Sequence, residues 1–209
     1  MKPNPGFWTG MSAKYAASPI SDMPAYDATM DRVVAHMPGQ ARVLELGCGT
    51  GGTALRLAPH AYSIVATDFS QGMIDQAGAR QSAENVRFHC ADVFDPMLEP
   101  GGFDVVMGFN LFHLVEDPPR AMKRVHELLT PGGLFVSKTP CLGEASLGFK
   151  FGLLKRLIPL MQMVGKAPFV RFDTIAELDA TITKAGFRIV ETGNYPARPP
   201  SHFVVAKKV

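Results

Sequence analysis

The chain has 209 residues, 46% of them hydrophobic and 19% charged, which suits one domain with a sizeable core and leaves little room for two. Its net charge of +2 is spread along the chain without a polybasic arm, so charge makes no case for a nucleic-acid partner. Cys48, Cys90 and Cys141 are odd in number and lack metal-ligand spacing, which argues against a disulfide framework or a bound metal and for free thiols in the cytoplasm.

Residues 1–20 are rich in Pro, Gly, Ser and Ala with scattered aromatics, and read as an irregular arm able to fold over a site. They lack the apolar segment of a secretory signal, and no run of the chain reaches transmembrane length. Met30, Val33, Val34 and Met37 recur at helical spacing until Pro38-Gly39, and a first strand follows over 41–46. Strands and helices then alternate: a short helix over 52–59, a strand over 62–67, a helix over 70–80 and strands over 86–91 and 103–109. Asp117 precedes Pro118-Pro119 as an N-cap, Met122, Val125 and Leu129 form one stripe, and Pro131-Gly132-Gly133 stops that helix before a strand over 134–137. Thr174-Ile175-Ala176-Glu177 has the form of a capping box, and Gly186 suits the end of the helix it opens. Strands over 187–191 and 203–206 close the chain as an antiparallel pair at one sheet edge. Repeated units of this length predict an α/β, doubly wound, mostly parallel sheet with its ligand at the carboxyl ends of the strands.

The run Val43-Leu44-Glu45-Leu46-Gly47-Cys48-Gly49-Thr50-Gly51 is an apolar strand that ends in a carboxylate and a glycine turn. Glycines there let a ligand approach the main chain without a Cβ in the way. Gly47, Gly49 and Gly52 also fit the dinucleotide pattern, with Asp68 about twenty residues on, so a nicotinamide cofactor is one reading. Glu45 favours another: it opposes a pyrophosphate and suits the sulfonium and ammonium of S-adenosylmethionine. Acidic residues also follow the second and third strands. Asp68 is placed to accept ribose hydroxyls and Asp92 to meet an adenine amino group, with Phe69, Met73 and Val93 as apolar walls. The plainer reading of any one of them is a helix cap or a solvated loop; Asp68 and Ser70 can share such a capping role.

With Val65-Ala66-Thr67-Asp68, Cys90-Ala91-Asp92-Val93, Phe103-Asp104-Val105-Val106 and Leu129-Thr130-Pro131-Gly132-Gly133 in this order, the chain resembles the class I S-adenosylmethionine-dependent methyltransferases of the ubiquinone/menaquinone and small-molecule type, from about residue 42 to 209. The resemblance implies a Rossmann-like, seven-stranded sheet with an antiparallel last strand, filling one methyltransferase domain over 1–209. Within it 1–40 form the N-terminal arm and helix, and 141–172 an acceptor-side insertion or cap. It also implies that Glu45, Gly47, Cys48, Gly49 and Gly51 hold the methionine part. Asp68 would hold ribose, Ala91, Asp92 and Val93 face adenine, and Asn110 line the methyl end. Gly108-Phe109-Asn110-Leu111-Phe112 departs from the signature of base-amine methyltransferases, which disfavours that activity. A non-catalytic cofactor-binding protein is a third reading.

Methyl transfer needs a base only where the acceptor must lose a proton. His113, after the fourth strand, is the candidate by position and by titration near neutrality. Tyr15 and Trp8 are the arm aromatics available to cover the site. Pro140-Cys141 follows the fifth strand, displaced from a cytosine-C5 nucleophile, and Cys141 is read as structural. Leu147 to Val164 is apolar, interrupted by Lys150, Lys155, Arg156 and Pro159, and reads as a cap for an apolar small-molecule acceptor; membrane or partner contact and ordinary core are its alternatives.

Overall fold

The computed structural model describes residues 4–80, 83–144, 158, 161–162, 167–197 and 199–209. The apolar stretch over 147–164 lies outside the described residues apart from Ile158, Met161 and Gln162. Among the described residues no helix is long and apolar enough to cross a membrane.

Seven strands form one sheet: β1 (Arg42–Leu46), β2 (Ser63–Asp68), β3 (Val86–Cys90), β4 (Phe103–Phe109), β5 (Leu129–Pro140), β6 (Phe187–Asn194) and β7 (Ser201–Lys208). Their order is β3-β2-β1-β4-β5-β7-β6, with β7 antiparallel to both neighbours and the remaining pairs parallel. The expected terminal pair is present, with β6 at the edge and β7 inside it. The order of strand addition reverses between the parallel strands β1 and β4, which is the switch point where ligands of such sheets bind.

Buried strands present apolar residues to both faces, and β1 does so with one exception. Leu44 and Leu46 pack with Met122, Val125 and Leu128 of α5 (Pro118–Leu128) and with Leu178 and Ile182 of the last helix. Val43 points the other way, into a core with Met30 and Val33 of α2 (Met23–His36) and Ala54 and Leu57 of α3 (Gly52–Leu57). Glu45 shares that second face by strand alternation and is only 2% exposed.

The arm over 1–20 is a helix rather than irregular chain: α1 spans Pro5–Ala17, capped by Asn4, whose side-chain oxygen accepts from Gly6 N–H at 3.0 Å. It forms by docking on α4 (Gln71–Gly78). A Cβ built at Gly72 would meet Thr9 Cα at 3.0 Å and Ser12 Oγ at 3.1 Å, so the missing side chain lets the two backbones close. Thr9 and Ser70 hydroxyls hydrogen-bond across the contact at 3.0 Å.

β5 is longer than the expected 134–137. Leu129 pairs with Phe103 of β4, an irregularity with Gly132 at φ 72° follows, and regular pairing resumes at Val105 and Leu134. The capping box at Thr174 is complete and opens α6 (Ile175–Lys184), which ends at Gly186 with φ of 92°.

Candidate active site

Over the switch point lies a cavity of about 1180 Å³. The turn after β1 contributes Gly47 and Gly49, the end of β2 Asp68 and Phe69, the chain after β3 Ala91 to Pro96, and the chain after β4 Asn110 to Asp117. α1 closes it from above with Trp8 and Tyr15. The volume exceeds the roughly 300–1,000 Å³ of ordinary ligand clefts, which leaves room for two molecules side by side.

The glycines divide by role. At Gly51, φ 78°, a Cβ would strike the Phe88 ring at 2.7 Å, so packing beneath the turn demands glycine. At Gly49, φ 53°, the nearest atom to a built Cβ is Tyr15 Cε1 at 3.6 Å. There the missing side chain opens the main chain to the cavity under the Tyr15 ring.

Asp68 ties the turn to the next strand. One carboxylate oxygen accepts Gly49 N–H at 3.0 Å, the other Ser70 N–H at 2.9 Å. Burial pushes its pKa up, and those two donors hold it back. Both oxygens keep a lone pair for further donors on the cavity side. The N-cap of α4 is Ser70 alone, whose Oγ accepts from Met73 N–H at 3.3 Å. Asp92 accepts Phe94 N–H at 2.7 Å, and the Arg120 guanidinium lies 4.2 Å above the Phe94 ring. Asn110 sits at φ 54°, a left-handed conformation that Asn tolerates, with its N–H bonded to Lys138 C=O at 2.8 Å.

Thus Tyr15, Gly47, Gly49, Asp68, Phe69, Met73, Ala91, Asp92, Val93, Asn110 and His113 share one wall system. Glu45, Cys48 and Gly51 are not on it; they lie beneath the turn. Two expectations change with that geometry. Burial raises the Glu45 carboxyl to about 8, with the Ala54 N–H as its one opposing donor, and leaves Oε2 without a partner. At neutral pH it is protonated until a positive charge arrives, not the standing carboxylate that the sequence suggests. His113 does not titrate near neutrality either, because burial pushes it down to about 4 against the pull of Asp173. Cys141 is buried, its thiol raised to about 12 by burial, in keeping with a structural residue. Trp8 lines the cavity from α1, and Leu111, Leu114, Pro140, Pro168 and Phe169 are wall residues that sequence reasoning missed. Only Leu111 and Leu114 carried a signal, their position beside Asn110 and His113.

Sheet order, glycine turn and acidic strand ends define a doubly wound protein that binds a nucleoside cofactor at its switch point. The methyltransferase domain family matches residues 43–133, from β1 through Gly133. An uncharacterized methyltransferase of Mycobacterium tuberculosis is 35% identical over 108 residues, covering 52% of this chain and 54% of that relative. The ubiquinone biosynthesis O-methyltransferase of Coxiella burnetii is 35% identical over 98 residues, 46% of this chain and 42% of that one. The chain spans about half the length of the curated relatives it matches. The structure of an S-adenosylmethionine-dependent methyltransferase from Mesorhizobium loti shares the fold, with a TM-score of 0.70 at 23% identity over 88% of this chain and 100% of that one. The stretch from β1 through Gly133 thus matches the methyltransferase domain family in sequence, and the sheet as a whole has the class I S-adenosylmethionine-dependent methyltransferase fold.

The residues present fit that family's cofactor. Gly49 leaves a cradle that a Cβ would narrow, and the unpartnered Glu45 Oε2 lies beneath the same turn, which suits a cation above it.

Proposed function

We propose that the protein transfers a methyl group from S-adenosylmethionine to a small, lipophilic acceptor, leaving S-adenosylhomocysteine. The observation that carries this reading is the mixed lining of the cavity over the switch point. Its lining joins the Gly49 cradle, Asp68 and Asp92 with the apolar side chains of Leu111, Leu114, Pro140, Pro168 and Phe169.

When bound, the cofactor supplies an electrophilic methyl on a sulfonium whose leaving group is already good. The protein's part is placement. Gly47 and Gly49 give main-chain contact to the methionine end, Asp68 accepts the ribose hydroxyls, and Asp92 with Val93 meets adenine. Asn110 borders the methyl end. Trp8 and Tyr15 on α1 keep water out from above. Alignment of nucleophile and methyl carbon is worth about 7–11 kcal/mol of barrier, and a general base is needed only where the acceptor must lose a proton.

Calorimetry with S-adenosylhomocysteine and with NADH tests the cofactor. The first binds and the second does not; tighter NADH binding would overturn the reading in favour of an oxidoreductase. Transfer of labelled methyl to a panel of lipophilic acids, quinols, phenols and amines tests the acceptor end. Methylation of small, highly charged acceptors alone would contradict a lipophilic one.

A further inference from the structure

His113 stands in the 3₁₀ turn Phe112–Leu114 after β4, on the cavity wall. Arg171 N–H donates to its carbonyl at 2.7 Å, which fixes the turn against the chain before α6. Its ring nitrogen Nδ1 is sealed from solvent and has no hydrogen-bond partner among the described residues. The other nitrogen, Nε2, is not sealed and unpartnered in that way, and His113 itself lines the cavity. A neutral imidazole carries one proton. On Nδ1 it would be a buried donor with no acceptor; on Nε2 it is available to water or ligand.

The ring is neutral through the physiological range, since burial holds it near 4. Asp173, paired with Arg171 at 2.8 Å, is the charged group that acts on it, and it is already committed. The acidic groups on the wall are committed as well. Asp68 and Asp92 hold backbone N–H groups as described, Asp95 accepts Met97 N–H at 2.9 Å, and Asp117 caps α5 through Arg120 N–H at 3.1 Å. Glu116 is also engaged. The Tyr15 phenol is kept protonated by burial and by Asp68. The described wall thus presents a neutral imidazole at the β4 turn, while the carboxylates around it are engaged by backbone donors.

We propose that His113 is a hydrogen-bond donor, through Nε2–H, to an acceptor whose attacking oxygen is already an anion: a lipophilic carboxylate rather than a neutral hydroxyl or amine. The proposal rests on the methyl-transfer reading above. The oxygen's lone pair forms the O–CH3 bond as the C–S bond breaks, its electron pair stays on sulfur, and no proton moves. His113 is a positioning residue in this step, orienting the oxygen without exchanging protons.

Imidazole ¹⁵N NMR tests the donor directly. His113 gives the Nε2–H tautomer and shows no titration between pH 5.5 and 8; an Nδ1–H tautomer or a midpoint near 6.5 overturns the proposal. The acceptor class is tested by calorimetry on protein loaded with S-adenosylhomocysteine, with 4-tert-butylbenzoate and 4-tert-butylphenol as probes of one apolar shape. At pH 7 the benzoate binds at least tenfold tighter. The preference persists in His113→Gln, whose amide nitrogen stands near the place of Nε2, and is lost in His113→Asn, whose shorter amide reaches only the place of Nδ1. Absence of a preference in the native protein, whether both probes bind or neither does, overturns the acceptor class. So does retention of the preference in His113→Asn. Failure of the methyl-transfer reading is seen separately, as absent S-adenosylhomocysteine binding before any probe is added.

Discussion

Glu45→Gln isolates the buried carboxyl from the other titrating groups. The folded protein holds the Glu45 proton up to about pH 8, whereas the unfolded chain releases it near 4.5. Between those values the unfolded state has fewer protons bound than the folded one, so raising the pH draws the equilibrium toward unfolding. The gap of about 3.5 pH units, at about 1.36 kcal/mol per unit, comes to about 5 kcal/mol lost between pH 4.5 and 8, with no further loss above. His113 acts in the opposite sense: its depressed value makes stability rise from about pH 4 to 6.5, so the native profile alone mixes the two. Glutamine has nearly the shape of the protonated acid and no proton to lose. Urea unfolding of both forms without ligand, at pH 5, 6, 7 and 8, gives the difference in stability at each pH. Native minus variant should fall steadily across that range by several kcal/mol. A flat difference, or one that rises with pH, would refute a carboxyl held protonated by burial.

Asp68→Ala removes charge-assisted hydrogen bonds to ribose, each worth about 1.5–3 kcal/mol, and weakens S-adenosylhomocysteine binding more than tenfold; calorimetry measures it, with urea unfolding beside it because Gly49 and Ser70 lose a partner too. Gly72→Leu drives a side chain into Thr9 and lifts α1 from α4. The single tryptophan, Trp8, then reports the change as red-shifted emission, with weaker cofactor binding and unchanged far-UV circular dichroism. Gly49→Ala and Gly51→Ala each cost about 1–2 kcal/mol for left-handed backbone, and Gly51→Ala about 1–3 kcal/mol more for its clash with Phe88. Unfolding should therefore rank Gly51→Ala as less stable, and calorimetry should show a direct affinity loss for Gly49→Ala. The reverse ranking would contradict the division of roles.

Local signals made much of the sheet legible. The β1 turn, the Asp117 N-cap and the Thr174 capping box each announce themselves within a few residues, because backbone angles and hydrogen bonds of that range are set by neighbours in the chain. α1 was not legible for the converse reason. Only Ser12 of its residues is buried, so it has no apolar stripe, and what holds it is Gly72 on another helix. Leu129 pairs with Phe103 of β4, but Thr130 to Gly133 have no partner there and Gly132 turns at φ 72° before pairing resumes at Leu134, so the turn residues form a bulge inside β5 whose flanks are set by tertiary pairing. In the site, residue types pointed to Asp68, Asp92 and Asn110 correctly as neighbours on one cavity. Protonation did not follow from type, since it depends on what else is buried around Glu45 and His113.

Those two protonation states together say what the site lacks before ligands arrive. Glu45 is a carboxyl with one unpartnered oxygen, costly to ionise and, with its proton on that oxygen, short of an acceptor when neutral. His113 is an imidazole on the cavity wall with one nitrogen sealed and unpartnered. The first deficit is relieved by a positive charge above the β1 turn, and the proton that the second leaves on Nε2 is met by an oxygen beside the β4 turn. A cationic methyl donor and an anionic acceptor supply one each, and they attract one another in the poorly solvated space between, where a given pair of charges interacts more strongly than in water. On this view the fold sets aside part of its stability in Glu45 and recovers it on cofactor binding. Glu45→Gln should accordingly stabilise the ligand-free protein above pH 8 while weakening its hold on S-adenosylhomocysteine, and equal affinity in both forms would break the link between the buried acid and the cofactor.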